Sequence, residues 1–288
     1  MQIATTENTI YTSPDASKIF CYTPSIIVTP TGRLIVSFDL GGEGVKSIEG
    51  HKSSRAGGSR FGQGKIFISD DNGQKWTFVQ NFPFWHARLF TIGNSIYLIG
   101  HAGDICIMKS EDNGESWSDT YFLTHGEKWH SSACNVLFSN GNVYLAMEQR
   151  CRLNEVTGWD VAGLSPTLFR ACVEDNLCLA SSWSRSEKFI YKEVFDGAKL
   201  DFFGIPFYDC ETNKPKEIAT GINNAPLGWL EANVVKFVDK DHIWHTDLKE
   251  VFHLFLRAHT GGVNYAHLFK IEIQDDQSMI PSLEHTPS

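Results

Sequence analysis

The chain has 288 residues, 42% of them hydrophobic and 12% aromatic, which is enough for a large core and too apolar for a disordered polymer. Its net charge of −9 argues against a nucleic-acid backbone as partner, because that kind of binding relies on clustered Lys and Arg. No apolar run reaches the roughly 18 residues of a membrane span, so no membrane partner is expected.

Residues 1 to 19 are polar and predict an extended arm. Tyr22 to Val28, the turn Thr29-Pro30-Thr31-Gly32 and Arg33 to Asp39 predict a β-hairpin. A Gly-rich loop over 41–64 follows, and loops of that length in compact domains tend to be functional. Lys65 to Ile68 reads as a strand that runs into Ser69-Asp70-Asp71-Asn72-Gly73-Gln74-Lys75-Trp76. The plan then repeats: Trp85 to Phe90, a turn at Gly93-Asn94, Ile96 to His101, Asp104 to Met108, and Ser110-Glu111-Asp112-Asn113-Gly114-Glu115-Ser116-Trp117. A third copy runs from Trp129 to Phe138, turns at Asn140-Gly141 and returns as Val143 to Glu148, with outer strands over Thr167–Val173 and Cys178–Trp183. After a long insertion over 196–227, the last copy comprises Gly228 to Val235, Val251 to Ala258 and Val263 to Ile271.

The two eight-residue stretches are one pattern, Ser-X-Asp-X-Gly-X-X-Trp, used twice 41 residues apart. Ser and Asp can accept bonds from N–H groups a few residues on, Gly supplies positive φ, and Trp offers a flat packing surface. Trp76 and Trp117 are therefore expected to be buried between sheets. A four-strand unit at a period near 40 predicts an all-β propeller of four-stranded antiparallel blades. Four blades are readable, and ring closure would need a fifth or sixth. Residues 1–288 then form a single propeller domain, completed by degenerate pieces and the termini or lacking its final C-terminal blade.

The same pattern resembles the Asp-box, or bacterial neuraminidase repeat, and so the chain resembles the sialidase-like superfamily of β-propellers. The resemblance implies a glycosidase-type scaffold with the boxes on outer turns, remote from the active face. It departs from the family where sialidases carry an Arg-Ile-Pro belonging to an arginine triad, since here the stretch reads Tyr22-Thr23-Pro24-Ser25. Sialic acid specificity is accordingly not implied.

In a propeller the innermost strands converge on one face, so residues at the mouths of those strands are the candidates for chemistry. Here the mouths read Trp85-His86, Trp129-His130 and Trp229-Leu230-Glu231. Glu231 stands among apolar residues, where a carboxylate needs a partner or a function. The candidate catalytic residues are Glu231, His86 and His130. The substrate-binding candidates are Arg257, whose guanidinium can grip a carboxylate, then Asp39, Glu148 and Arg150, and the aromatic Trp85, Trp129 and Trp229. Each has a structural alternative: Trp between blades, His bonded to backbone, Glu231 in a salt bridge. Trp159-Asp160, in the loop after the third copy, reads as a loop aromatic, with a sugar platform as the alternative.

No metal site is expected from the dispersed histidines, and no cofactor, since a Gly-X-Gly-X-X-Gly loop before a helix is missing. Seven cysteines without a Cys-X-X-Cys pair suit a reducing compartment. Together with a first segment lacking signal-peptide character, they predict a cytoplasmic protein. Two functions follow: an exo-acting glycoside hydrolase on a terminal, acidic or neutral, sugar, or a non-catalytic propeller that binds a glycan or a protein.

Overall fold

The computed structural model describes residues 7–54, 61–130, 134–151, 164–188, 190, 228–236, 251–259, 264–274 and 276–285. Trp159, Asp160 and the 196–227 insertion lie outside these residues. The chain is all-β, built of antiparallel sheets with propeller-blade topology. It divides into two compact units, Met1–Gly126 with Cys178–Ala180, and Glu127–Leu177 with Ser181–Ser288.

In unit 1 the first blade comprises β1 (Phe20–Val28), β2 (Leu34–Gly41), β3 (Ser53–Ser54), β4 (Phe61–Ser69) and β5 (Thr77–Phe82). Strands β1, β2, β4 and β5 pair in that order, and the short β3 also pairs with β4. The second blade is the meander β6 (Trp85–Ile92), β7 (Ser95–Ala102), β8 (Asp104–Ser110) and β9 (Tyr121–Phe122). Strands β2 and β7 are buried along almost their whole length, which is why their sequences run apolar rather than alternate. Ile35, Ile66, Phe82, Phe84, Leu89 and Leu98 form a shared core between the two blades, each worth roughly 1.5–3 kcal/mol of burial. The glycines of the 41–64 loop have a packing reason as well. A Cβ on Gly62 would lie 2.1 Å from the Trp85 indole, so the ring rests directly on backbone.

The repeated octapeptides fold alike. Ser69 Oγ accepts the Gly73 N–H at 2.9 Å and Asp71 Oδ1 that of Lys75 at 2.8 Å. Ser110 Oγ and Asp112 Oδ1 accept Gly114 and Ser116 N–H, each at 2.9 Å. Positive φ falls on the same two places, Asn72-Gly73 and Asn113-Gly114. Arg33 joins the turns: its Nε and Nη2 donate to Asp70 at 2.6 and 3.0 Å, and its Nη1 donates to the Asn113 carbonyl at 3.1 Å. Contrary to expectation, Trp76 and Trp117 are only half-buried. Each packs one side against a core cluster, and Trp76 donates Nε1–H back to Gly73 O at 3.0 Å, which holds the indole over its own turn.

In unit 2 the third blade comprises β10 (Trp129–His130), β11 (Val136–Ser139), β12 (Asn142–Arg150), β13 (Leu164–Cys172) and β14 (Trp183–Arg185). Both β10 and β11 pair with β12. The stretch Cys178–Trp183 expected as a strand is instead a turn with a 3₁₀ segment at Ala180–Ser182, and pairing starts only at Trp183. The fourth blade is β15 (Gly228–Val235), β16 (Val251–His259), β17 (Asn264–Ile273) and β18 (Met279–His285). Tyr144, Leu168, Trp229, Val234, Phe252 and Leu254 form the core between these blades.

The packing predicts the order of two glycine substitutions. Gly114 has φ +86° and a Cβ there would meet Ile35 Cδ1 at 2.5 Å, whereas Gly93 has φ +57° and open space around it. Gly114→Ala should cost about 2–4 kcal/mol in urea unfolding, and Gly93→Ala about 1 kcal/mol. The reverse order would mean that the second octapeptide turn does not pack on the first blade.

Candidate active site

Three innermost strands carry the same irregularity at the same register. In β1, Tyr22 pairs with Asp39 and Ser25 with Ser37, so Thr23 and Pro24 face a single residue of β2. In β6, His86 and Ala87 lie between the pairs Trp85–His101 and Arg88–Ile99. In β15, Glu231 and Ala232 lie between Leu230–Arg257 and Asn233–Phe255. Each is a two-for-one β-bulge whose first residue is left-handed: φ is +47° at Thr23, +51° at His86 and +61° at Glu231. The backbone kink turns that side chain towards the second-strand residue at the preceding pair. Thr23 Oγ1 donates to Asp39 Oδ2 at 3.2 Å, His86 Nδ1 lies 3.3 Å from His101 Nε2, and Glu231 Oε2 lies 3.1 Å from Arg257 Nε.

The second bulge residue has a different task. Ala87 and Ala232 are buried in the core clusters of their units, so each bulge is anchored by a methyl group while its neighbour tips outward.

Within unit 1, Asp39 is fully buried and its Oδ1 has no hydrogen bond of normal geometry. Burial pushes its carboxyl up to about 7; the N–H of His86, the Thr23 hydroxyl, the Arg88 guanidinium and the Ala87 N–H offset part of that rise. Arg88 is buried as well and donates Nη1 to the Pro24 and Ala87 carbonyls, each at 3.2 Å, bracing both bulges of the unit.

Within unit 2, Glu148 is buried and fully engaged. Its Oε2 lies 2.9 Å from His130 Nδ1, and its Oε1 accepts the Ala232 N–H at 2.9 Å. Glu231 and Arg257 are the accessible pair here, with side chains 41% and 34% exposed. A solvent-facing carboxylate beside a guanidinium can exchange a proton or attack a carbon centre, while the guanidinium donates to an oxygen-rich ligand.

The structure thus gathers His130, Glu148, Glu231 and Arg257 in unit 2 and Asp39 and His86 in unit 1. Trp85, Trp129 and Trp229 are 6%, 2% and 0% exposed, which leaves no ring face for a ligand. Trp129 instead stacks edge-on with Phe169, and Trp229 with Phe269. Arg150 ends β12 two residues beyond Glu148, its N–H bonded to Lys128 O at 2.7 Å. The two Trp-His dipeptides are not in equivalent register: His130 pairs directly with Glu148, as Trp85 does with His101, whereas His86 sits on a bulge. Sequence reasoning missed Thr23, Arg88 and His101, although His101 stands two residues past Ile99 just as Asp39 stands past Ser37.

The Asp39 carboxyl makes stability depend on pH. Its folded-state pKa lies above the unfolded value of 3.8, so its favourable contribution is complete below about pH 4 and is lost as pH rises through about 7. Between pH 4 and pH 8, Asp39→Asn should gain on wild type by at most about 4 kcal/mol in parallel unfolding titrations. A constant difference across that range would mean that Asp39 stays ionised.

No protein-family model matches the chain, and no curated protein matches it. Solved structures share the fold. The α-L-arabinofuranosidase from Lactobacillus brevis aligns over 96% of this chain and 81% of its own, at 14% identity and a TM-score of 0.50. A protein of unknown function from Dyadobacter fermentans aligns over 92% and 69%, at 13% identity and a TM-score of 0.51. NanB, a sialidase of Streptococcus pneumoniae, in its structure with Optactamide aligns over 91% of this chain and 48% of its own, at 9% identity and a TM-score of 0.51. At these identities the likeness is one of fold, that of a β-propeller.

Proposed function

We propose that this protein is a carbohydrate-active enzyme, an exo-acting glycoside hydrolase that uses Glu231 on a terminal sugar. The observation that carries the reading is the setting of Glu231. A half-exposed carboxylate occupies a strained left-handed backbone position, is fixed by a bulge anchored in the core, and has an arginine 3.1 Å away. Glu231 acts as acid/base or nucleophile, and Arg257 anchors a hydroxyl or the carboxylate of an acidic sugar. His130 is the histidine of this group, and His86 with His101 heads the polar group of unit 1.

The Ser-X-Asp-X-Gly-X-X-Trp turns are, on this reading, Asp-boxes of the sialidase-like superfamily, and residues 1–288 belong to one propeller domain. The fold is also that of an arabinofuranosidase and a sialidase, which suggests where to begin the search for a substrate. The burial of Trp85, Trp129 and Trp229 weighs against a binding module that relies on those aromatics.

A panel of 4-nitrophenyl glycosides, including the α-L-arabinofuranoside and the β-D-glucuronide, with a 4-methylumbelliferyl sialoside, tests the reading. At least one should be cleaved, Glu231→Gln should lower kcat by about 10²–10⁴-fold, and Arg257→Ala should raise KM. Unchanged turnover in Glu231→Gln would sink the assignment. Glycan binding by folded protein without release of sugar would favour a non-catalytic propeller.

A further inference from the structure

We infer that Glu148 is a positioning residue: from the third blade it holds the bulge of the fourth and thereby sets the orientation of Glu231. The inference rests on Glu231 being the reactive carboxylate proposed above. Glu148 is 1% exposed and uses both oxygens within the protein, one towards His130 at 2.9 Å and the other on the Ala232 N–H at 2.9 Å. Ala232 is the second residue of the bulge, and its amide is the peptide group that directly follows Glu231. A bond to that N–H fixes the plane of the peptide and with it the ψ of Glu231, next to the φ of +61° that aims the side chain at Arg257.

An ordinary strand cannot supply this bond, because a bulge leaves one residue unpaired in the ladder. A carboxylate is a strong acceptor for an orphaned amide, and burying one costs least when its other oxygen is also engaged. His130 fills that second position.

Unit 1 also places a buried carboxylate on the second strand of a blade, although only one of its oxygens is hydrogen-bonded. Asp39 stands opposite Tyr22, the residue before the bulge of β1, and Glu148 opposite His130, the last residue of β10. The N–H groups of His86 and Ala87, the bulge of the next blade, favour the charged form of Asp39. A second buried carboxylate near the bulge of the next blade is in keeping with that role for Glu148. That role also explains why Glu148, with both oxygens engaged, is not free for substrate although it stands at the mouth of a blade.

The test compares Glu148→Ala with Glu148→Gln, whose side-chain oxygen can still accept from Ala232 while its amide faces His130. The first readout is hydrogen exchange of the Ala232 amide by NMR. Exchange should accelerate at least about tenfold in Glu148→Ala and stay near wild type in Glu148→Gln. The second readout is kinetics on the nitrophenyl glycoside that wild type cleaves fastest. Glu148→Ala should lose about 100-fold in kcat with KM within about threefold, and Glu148→Gln should recover most of it. An Ala232 amide unchanged in folded Glu148→Ala overturns the inference, as does a raised KM with kcat intact, the mark of a substrate contact. If Glu148→Ala does not fold, loss of Ala232 protection in Glu148→Gln overturns it and retained protection supports it. If no glycoside is cleaved, the proposed activity fails while the amide readout still decides the role of Glu148.

Discussion

Two residues facing one at the mouth of a blade is the constraint on which the candidate chemistry depends. A left-handed Thr, His or Glu costs about 1–2 kcal/mol, and nothing in the local sequence favours it. It persists because its neighbours leave no alternative: the following Ala is sealed in the core in two of the three cases, and the flanking pairs fix the register on both sides. The result is a polar side chain tipped out of the ladder and set against a titratable partner on the second strand. A regular strand would have sent that side chain into one face of the sheet, with its neighbour to the other.

The rest of each unit keeps that mouth rigid. In unit 1 the apolar core between the first two blades, the Trp85 ring laid on glycine backbone and the Arg33 bridge between the octapeptide turns all resist relative movement of the two sheets. Exposed ion pairs such as Arg33–Asp70 contribute about 1 kcal/mol or less, so shape and burial dominate. In unit 2 the corresponding core centres on Trp229 and Phe252, and Asn135 ties the third blade to the fourth through bonds to Asn233 and Val234. Stability and candidate function thus meet at the bulges, where core methyl and outward polar group are consecutive residues.

Much of the fold was legible in the sequence. The repeated Ser-X-Asp-X-Gly-X-X-Trp turn and the alternating runs located the four sheets of the described residues, because turn chemistry and strand period are local properties. Glu231 stood out as a charge among apolar residues, and Asp39, Glu148 and Arg257 as polar ends of inner hairpins. The αL positions were not legible, since Thr23, His86 and Glu231 carry no residue-type signal for positive φ. For the same reason Trp85-His86 and Trp129-His130 looked alike while differing in register by one residue. The Trp residues were ambiguous for a different reason: an indole serves as readily in a core as on a sugar-binding face, and only burial separates the two.

The most direct test of the bulge account is the stability of Glu231→Gly relative to Glu231→Ala, measured by chemical unfolding. At a left-handed position glycine carries no Cβ penalty, so the account predicts that Glu231→Gly is the more stable variant, by about 1 kcal/mol. In an ordinary strand the order is reversed, with glycine weaker by about 0.5–1 kcal/mol. That reversed order would contradict a left-handed Glu231 and with it the geometry that presents the carboxylate to Arg257.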